Sequence, residues 1–236
     1  DLTADGSFPL GGAVAAVLIV AGYNPWIACL AACATGALAG LLTSWLHVSL
    51  GILQLLASIL TMIALYSINL RIMDAPNVSL LGETTVFTPF VSDENSYWMQ
   101  SLILLGIVFV VKGLLDWFFA SQIGLALRAT GANARMACAQ GIATGRYTMA
   151  GMALSNALIA LAGALYVQTQ GGADISMGIG TIVVGLAAVI IGETLLPSRR
   201  LLIVTLAVVM GAVLYRLFIT LALEADFIGL QAQDLN

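Results

Sequence analysis

The chain has 236 residues, of which 61% are hydrophobic and 8% charged, far below the roughly 25% charged residues of soluble domains. Twelve acidic and eight basic residues leave a net charge of −4, too few and too scattered for a nucleic-acid surface, so membrane lipid and not nucleic acid is the expected surrounding. Three cysteines, Cys29, Cys33 and Cys138, and the lone His47 form no metal-ligand pattern, and the cysteines read as small apolar filler.

In chain order, the first apolar run, Phe8 to Ala21, is interrupted at its start by Asp5, Gly6, Ser7 and Pro9 and falls short of the ~20 residues of a full helical span. It predicts a broken or half helix. Trp26 to Trp45 and Leu50 to Met73 are long enough to cross. Asp74 to Ser96 is long for a membrane connection, and Pro76, Gly82 and Pro89 deny it a continuous helix, so it predicts an external cap or docking surface. Trp98 to Phe119 is a third full span, Tyr147 to Val167 a fourth and Leu201 to Leu223 a fifth, with a second short run, Met177 to Ile191, between the last two. Trp26, Trp45, Trp98 and Trp117 fall near predicted span ends, where the headgroup layer suits their rings. The fold class expected is all-α, a polytopic helical membrane protein, with residues 1–236 forming one transmembrane domain.

Arg128, Arg135 and Arg146 crowd one connection and Arg199 and Arg200 another, which places both on the cytoplasmic side. The opposite connections carry Asp74, Glu83, Asp93, Glu94 and Asp174, and the tail carries Glu224, Asp226 and Asp234, without Lys or Arg. Seven alternating crossings satisfy this distribution. The chain starts at Asp1 inside what reads as a membrane motif, and is expected to be a fragment of a longer protein.

The two short runs resemble each other: Ala4-Asp5-Gly6-Ser7-Phe8-Pro9-Leu10-Gly11 aligns with Ala173-Asp174-Ile175-Ser176-Met177-Gly178-Ile179-Gly180. By alternation they run in opposite directions, the mark of an inverted-topology repeat whose half helices point at a site near the bilayer midplane. A helix starting inside the membrane leaves N–H groups unpaired at its positive end. Ser7 and Ser176 are suited to cap those ends, and Asp5 and Asp174 either cap the same helices or meet a solute's ammonium group. Gln54, Asn69, Lys112, Asp116, Ser155, Asn156 and Arg216 are polar residues within full spans that each need a reason. Lys112 and Asp116, four apart, read as an ion pair, while Gln54 and Asn156 either join helices or line a polar pathway. The candidate substrate path is therefore Asp5, Ser7, Gln54, Asn156, Asp174 and Ser176.

Between the third and fourth full spans, residues 121–146 are too polar to cross. Gly131 and Gly141 bracket a segment of two or three helical turns with Asn133 as a cap. The run through Leu127, Arg128, Ala129, Gly131, Asn133, Ala137, Gly141 and Ile142 resembles the cytoplasmic loop of ABC permeases of the branched-chain amino-acid type family. Asp1 to Gly11 and Ile59 to Met73 look like the subgroup of that family encoded beside periplasmic binding proteins. The resemblance implies that the loop is a coupling helix seated in a groove of a cytoplasmic ATP-binding subunit, with Arg128, Gly131, Asn133, Arg135, Met136 and Gly141 as its contacts. It further implies a second permease chain, identical or related, a periplasmic or lipid-anchored solute-binding protein, a bacterial inner-membrane location and a small polar solute, possible amino acids included. It also implies a helix before Asp1 and another after Asn236.

No nucleotide-binding G-x-x-x-x-G-K-[ST] sequence is present, so no cofactor is expected in this chain, and ATP with Mg belongs to the partner. The alternative is an ion-coupled secondary transporter, which accounts for the repeat but not for the loop. An enzyme is not expected, since no His/Asp/Glu cluster or Ser/His pair stands out.

Overall fold

The structure, a computed structural model, describes residues 1–89, 96–198 and 200–224. Asp93, Glu94, Arg199, Asp226 and Asp234, used above for orientation, lie outside the described residues. The described elements are α1 (Ala4–Val20), α2 (Pro25–Leu50), α3 (Gln54–Met73), β1 (Asn77–Ser79), α4 (Ser96–Ala120), α5 (Gln122–Ala132), α6 (Ala134–Ala139), α7 (Thr144–Gln170), β2 (Gly172–Asp174), α8 (Thr181–Leu195) and α9 (Leu201–Glu224). Of these, α2, α3, α4, α7 and α9 are each long and apolar enough to cross a membrane, whereas α1 and α8 are shorter. The chain is a multi-pass helical membrane protein.

Local chemistry fixes several ends. Asn24 caps α2 by accepting a hydrogen bond from Trp26 N–H at 2.9 Å, with Pro25 in the first turn where its missing N–H costs nothing. At the end of α1, Gly22 takes φ +81, and Tyr23 N–H donates back to Leu18 at 3.0 Å while Gly22 N–H donates to Ile19 at 2.9 Å. That is the glycine-dependent closure that satisfies the last carbonyls of a helix. Leu30, Leu102 and Leu202 are more than 60% exposed on α2, α4 and α9, as lipid-facing positions should be. Trp26, Trp45, Trp98 and Trp117 are likewise exposed.

Within the bundle the helices touch backbone to backbone. α1 packs against α2, α3 and α7, and α8 packs along α9. A Cβ added to Gly11 would sit 1.9 Å from the Ala160 carbonyl oxygen, one on Gly163 would sit 2.0 Å from that of Phe8, and one on Gly36 would sit 2.4 Å from that of Asn156. Between α8 and α9, Gly192 faces the Ala207 carbonyl in the same way. In lipid, where apolar surface gains little from burial against another helix, such close approach supplies the packing attraction.

The same contacts set directions. Ser7, Gly11 and Gly12 of α1 meet Asn156, Ala160 and Val167 of α7 in that order, so α1 runs parallel to α7 and starts beside the middle of it. After α7, β2 pairs antiparallel with β1, Asn77 opposite Asp174 and Ser79 opposite Gly172. The chain then turns inward as irregular backbone, with Met177 against Gly12, Gly178 against Asp5 and Pro9, and Ile182 on Asp5. α8 thus starts at the level where α1 starts and leaves in the opposite direction. Non-helical backbone at this depth requires protein around it, and Gly178 and Ile175 are buried.

Candidate functional site

The junction of α1 and α8 is the first candidate site. Pro9 lies inside α1 and has no N–H, which removes the helical partner of the Asp5 carbonyl. The 175–180 segment approaches at that point: a Cβ on Gly178 would stand 2.1 Å from the Asp5 carbonyl oxygen and 2.6 Å from Pro9 Cδ. The Asp5 carboxylate accepts a hydrogen bond from Ile182 N–H at 3.0 Å. Asp5 therefore caps α8, the other half helix, and places negative charge at its positive end.

Ser7 is buried inside α1 and donates to Asn156 Oδ1 at 2.7 Å. Asn156 Nδ2 donates to Asp1 Oδ2 at 2.6 Å and to the Met152 carbonyl at 3.0 Å. Around this bond, Thr3 and Thr43 hydroxyls lie 2.9 Å apart, and Ser58 donates to Asp1 Oδ1 at 3.2 Å. Four helices are thereby joined by polar side chains at mid-bundle. Gln54 starts α3, is exposed, and donates to Met152 Sδ at 3.8 Å. Asp174 accepts from Ser176 through both the hydroxyl and the N–H, and these two bonds hold its carboxyl below the usual carboxylate range.

The expected capping roles are thus redistributed. Ser7 is not a cap: Thr3 stands at the N-cap of α1 and makes no side-chain capping bond. Ser176 is not a cap either, because α8 begins after Gly180, at φ +83. Asp5 and Ser7 are brought to α8 and α7 respectively, while Asp174 and Ser176 bond one another on the segment that leaves the sheet. Sequence reasoning gave Ile182 no role, named Asn69 only as an in-span polar residue, and named Gly178 only as the position aligned with Pro9. The Asp5–Pro9 spacing of four was a signal for a freed carbonyl. The partner facing it, Gly178, carried none.

The second candidate site is the turn between α4 and α7. Ser121 caps α5 by accepting from Gly124 N–H at 3.3 Å. Asn133, at φ −157, ends α5 and caps α6, its Oδ1 accepting from Met136 N–H at 3.1 Å. Ile142 N–H returns to Ala137 at 3.1 Å and Gly141 N–H to Cys138 at 3.0 Å, closing α6 around Gly141 at φ +81. Gly131 does not bracket this helix, as had been expected. α5 runs through it to Ala132, and α6 has only six residues. Glycine weakens a helix without ending it, whereas Asn133 supplies an actual break. Arg128, Gly131, Arg135 and Met136 are all exposed, and among the described residues neither arginine has an ion-pair partner. The corner is a basic and partly apolar projection with buried Ala137 facing back to the bundle.

Lys112 and Asp116 form the expected ion pair at 2.5 Å, and Thr205 of α9 donates to the second Asp116 oxygen at 2.7 Å. The pair is thus part of the α4–α9 contact. No group of three or more His, Cys, Asp or Glu suited to a metal ion occurs among the described residues.

Comparison with known proteins matches residues 1–229 to a family model described as branched-chain amino acid transport system / permease component. The whole chain, 236 residues, is 37% identical to a tyrosine transport system permease protein of Clostridioides difficile (strain R20291), covering 77% of that protein. Over 193 residues, 82% of the chain, it is 38% identical to an uncharacterized protein of Rickettsia prowazekii (strain Madrid E), covering 66% of it. No solved structure matches. With both the family model and a relative matching essentially end to end, the chain belongs to the branched-chain amino acid transport system permease family.

Proposed function

We propose that this permease subunit of an ABC importer carries an amino acid across the bacterial inner membrane, driven by ATP hydrolysis in a separate cytoplasmic subunit. The observation that carries the reading is the α5–Asn133–α6 corner. A short capped helix presenting Arg128, Arg135 and Met136 to the exterior of the bundle suits a groove in an ATP-binding partner, which would supply ATP and Mg. Residues 121–146 form the coupling loop and residues 74–96 the external connection, with a periplasmic or lipid-anchored solute-binding protein seated on the acidic side. A second permease chain, identical or related, completes the path.

Asp5, Ser7, Gln54, Asn156, Asp174 and Ser176 line or support that path. The relative named for tyrosine transport supports an amino-acid solute. The family match gives the ion-coupled alternative no support.

Co-expression with its ATP-binding subunit should yield a stoichiometric complex, and uptake of labelled L-tyrosine should fall when ATP is depleted under a maintained membrane potential. Uptake that follows a sodium or proton gradient while ATP persists would overturn the proposal.

A further inference from the structure

A cavity of about 400 Å³ lies between α1, α3 and the 175–180 segment, lined by Asp5, Met62, Ile63, Tyr66, Asn69 and Ile179 among others. That volume falls within the ~300–1,000 Å³ typical of small-molecule pockets. Asn69 is fully buried, and its Nδ2 donates to the Gly6 carbonyl at 3.3 Å. Its Oδ1 has no hydrogen-bond partner among the described residues, a condition that native structures seldom leave unanswered. Asp5 lines the same cavity, and among the described residues its carboxylate accepts one hydrogen bond, from Ile182.

Asn69 Oδ1 and the Asp5 carboxylate are both acceptors, one of them charged, and the other polar side-chain groups on the wall are the Tyr66 and Ser67 hydroxyls. The positive end of α8 is already answered by the Asp5 carboxylate, which leaves a ligand's own carboxylate to the Tyr66 and Ser67 hydroxyls. The remaining side chains of the wall, Pro9, Met62, Ile63, Ile175 and Ile179, are apolar, and Ile63, Tyr66 and Ile179 are more than half exposed at the mouth. Acceptors within and apolar surface toward the mouth match a molecule with an ammonium group at one end and an aliphatic or aromatic side chain at the other.

We propose that this cavity is a transient subsite for an apolar or aromatic α-amino acid, whose ammonium donates to Asn69 Oδ1 and the Asp5 carboxylate while its side chain lies on Met62, Ile63 and Ile179. The proposal rests on the amino-acid import reading above and adds to it the group that is recognised and the residue, Asn69, that recognises it.

The test uses the reconstituted transporter with its ATP-binding subunit, Cys29, Cys33 and Cys138 replaced by Ser, and Ile179→Cys as a reporter at the cavity mouth. L-tyrosine and L-leucine should slow thiol labelling of position 179, and 4-hydroxyphenylpropionate, which lacks the ammonium, should not. Asn69→Leu should raise the concentration for half-protection about tenfold, the scale of one hydrogen bond to a charged group. Ile63→Trp, at an exposed position on α3, should weaken protection by L-tyrosine more than by L-leucine. Absence of protection by either amino acid, or equal protection by the deaminated analogue, overturns the subsite. ATP-driven uptake persisting in that case leaves the importer reading standing, whereas uptake that follows an ion gradient removes the importer reading itself.

Discussion

Asn156 shows how much one amide can hold at mid-bundle. Its oxygen takes the Ser7 hydroxyl and its nitrogen the Asp1 carboxylate and the Met152 carbonyl. Asn156→Leu strands the buried Ser7 hydroxyl, at a cost of about 1–3 kcal/mol, while Ser7→Ala alone should cost less. Thermal unfolding of the two single variants and the double variant in detergent should show the double to be less destabilised than the sum, as coupled partners require. Strict additivity would refute the coupling. Gly178→Ala should be worse than its size implies, since its Cβ would meet the Asp5 carbonyl oxygen at 2.1 Å. We expect it to push the 175–180 segment off α1 and abolish uptake, and retention of wild-type uptake would contradict the packing. At this scale the sequence marked Asp5 and Ser7 as polar groups needing partners. It did not reveal which ones, because Ile182 and Asn156 lie far along the chain and only the tertiary fold decides which helix a carboxylate caps.

Elements were more legible than residues. Full spans announce themselves through continuous apolar runs: four are longer than hydropathy put them, as where Asn24 or Gly171 supplies a cap, while the run from Leu50 is split by left-handed Gly51, Leu50 ending α2 and α3 starting at Gln54. The α5–α6 corner was found but misdrawn, since two glycines looked like brackets and only Gly141 has a conformation that demands one. The distinction is testable. A Cβ at Gly131 meets nothing within 4 Å, so Gly131→Leu should leave the permease folded and weaken association with the ATP-binding subunit. Gly141→Leu should additionally strain α6, because the left-handed conformation costs a non-glycine residue about 1–2 kcal/mol. Co-purification yields and unfolding temperatures separate the two, and unchanged association in both would exclude the corner as the docking element.

On the scale of the whole molecule, the two ends of the bundle differ in charge. Arg128, Arg135, Arg146 and Arg200 belong to one end, with Glu193, and Asp74, Glu83 and Asp174 to the other, with Arg71. A cysteine placed at Arg135 in a cysteine-free background should be shielded from impermeant thiol reagents in intact cells, and one at Glu83 should label. Labelling of position 135 from outside would invert the topology. α2 runs antiparallel to α7, Gly36 meeting Asn156 and Gly40 meeting Met152, and the half-way start of α1 and α8 follows from backbone contacts at Gly11, Gly163 and Gly178. Composition supplies small residues of that kind in abundance without telling which of them touch.

The small sheet carries a mechanical consequence. Asn77 to Ser79 is zipped to Gly172 to Asp174, and Ile175 N–H is further tied to the Pro76 carbonyl at 3.1 Å. From there only the stretch from Ser176 to Gly180 separates the sheet from α8, a short leash held in turns by Ile179 N–H donating to Ser176 at 3.0 Å and Thr181 N–H to Gly178 at 3.2 Å. A tug on the β1 strand by anything gripping the connection around it would travel down that leash, and arrive first at Gly178 and the Asp5–Ile182 clasp. The hairpin is in this sense a ripcord, fastened on the surface and threaded to the point where the two half helices part.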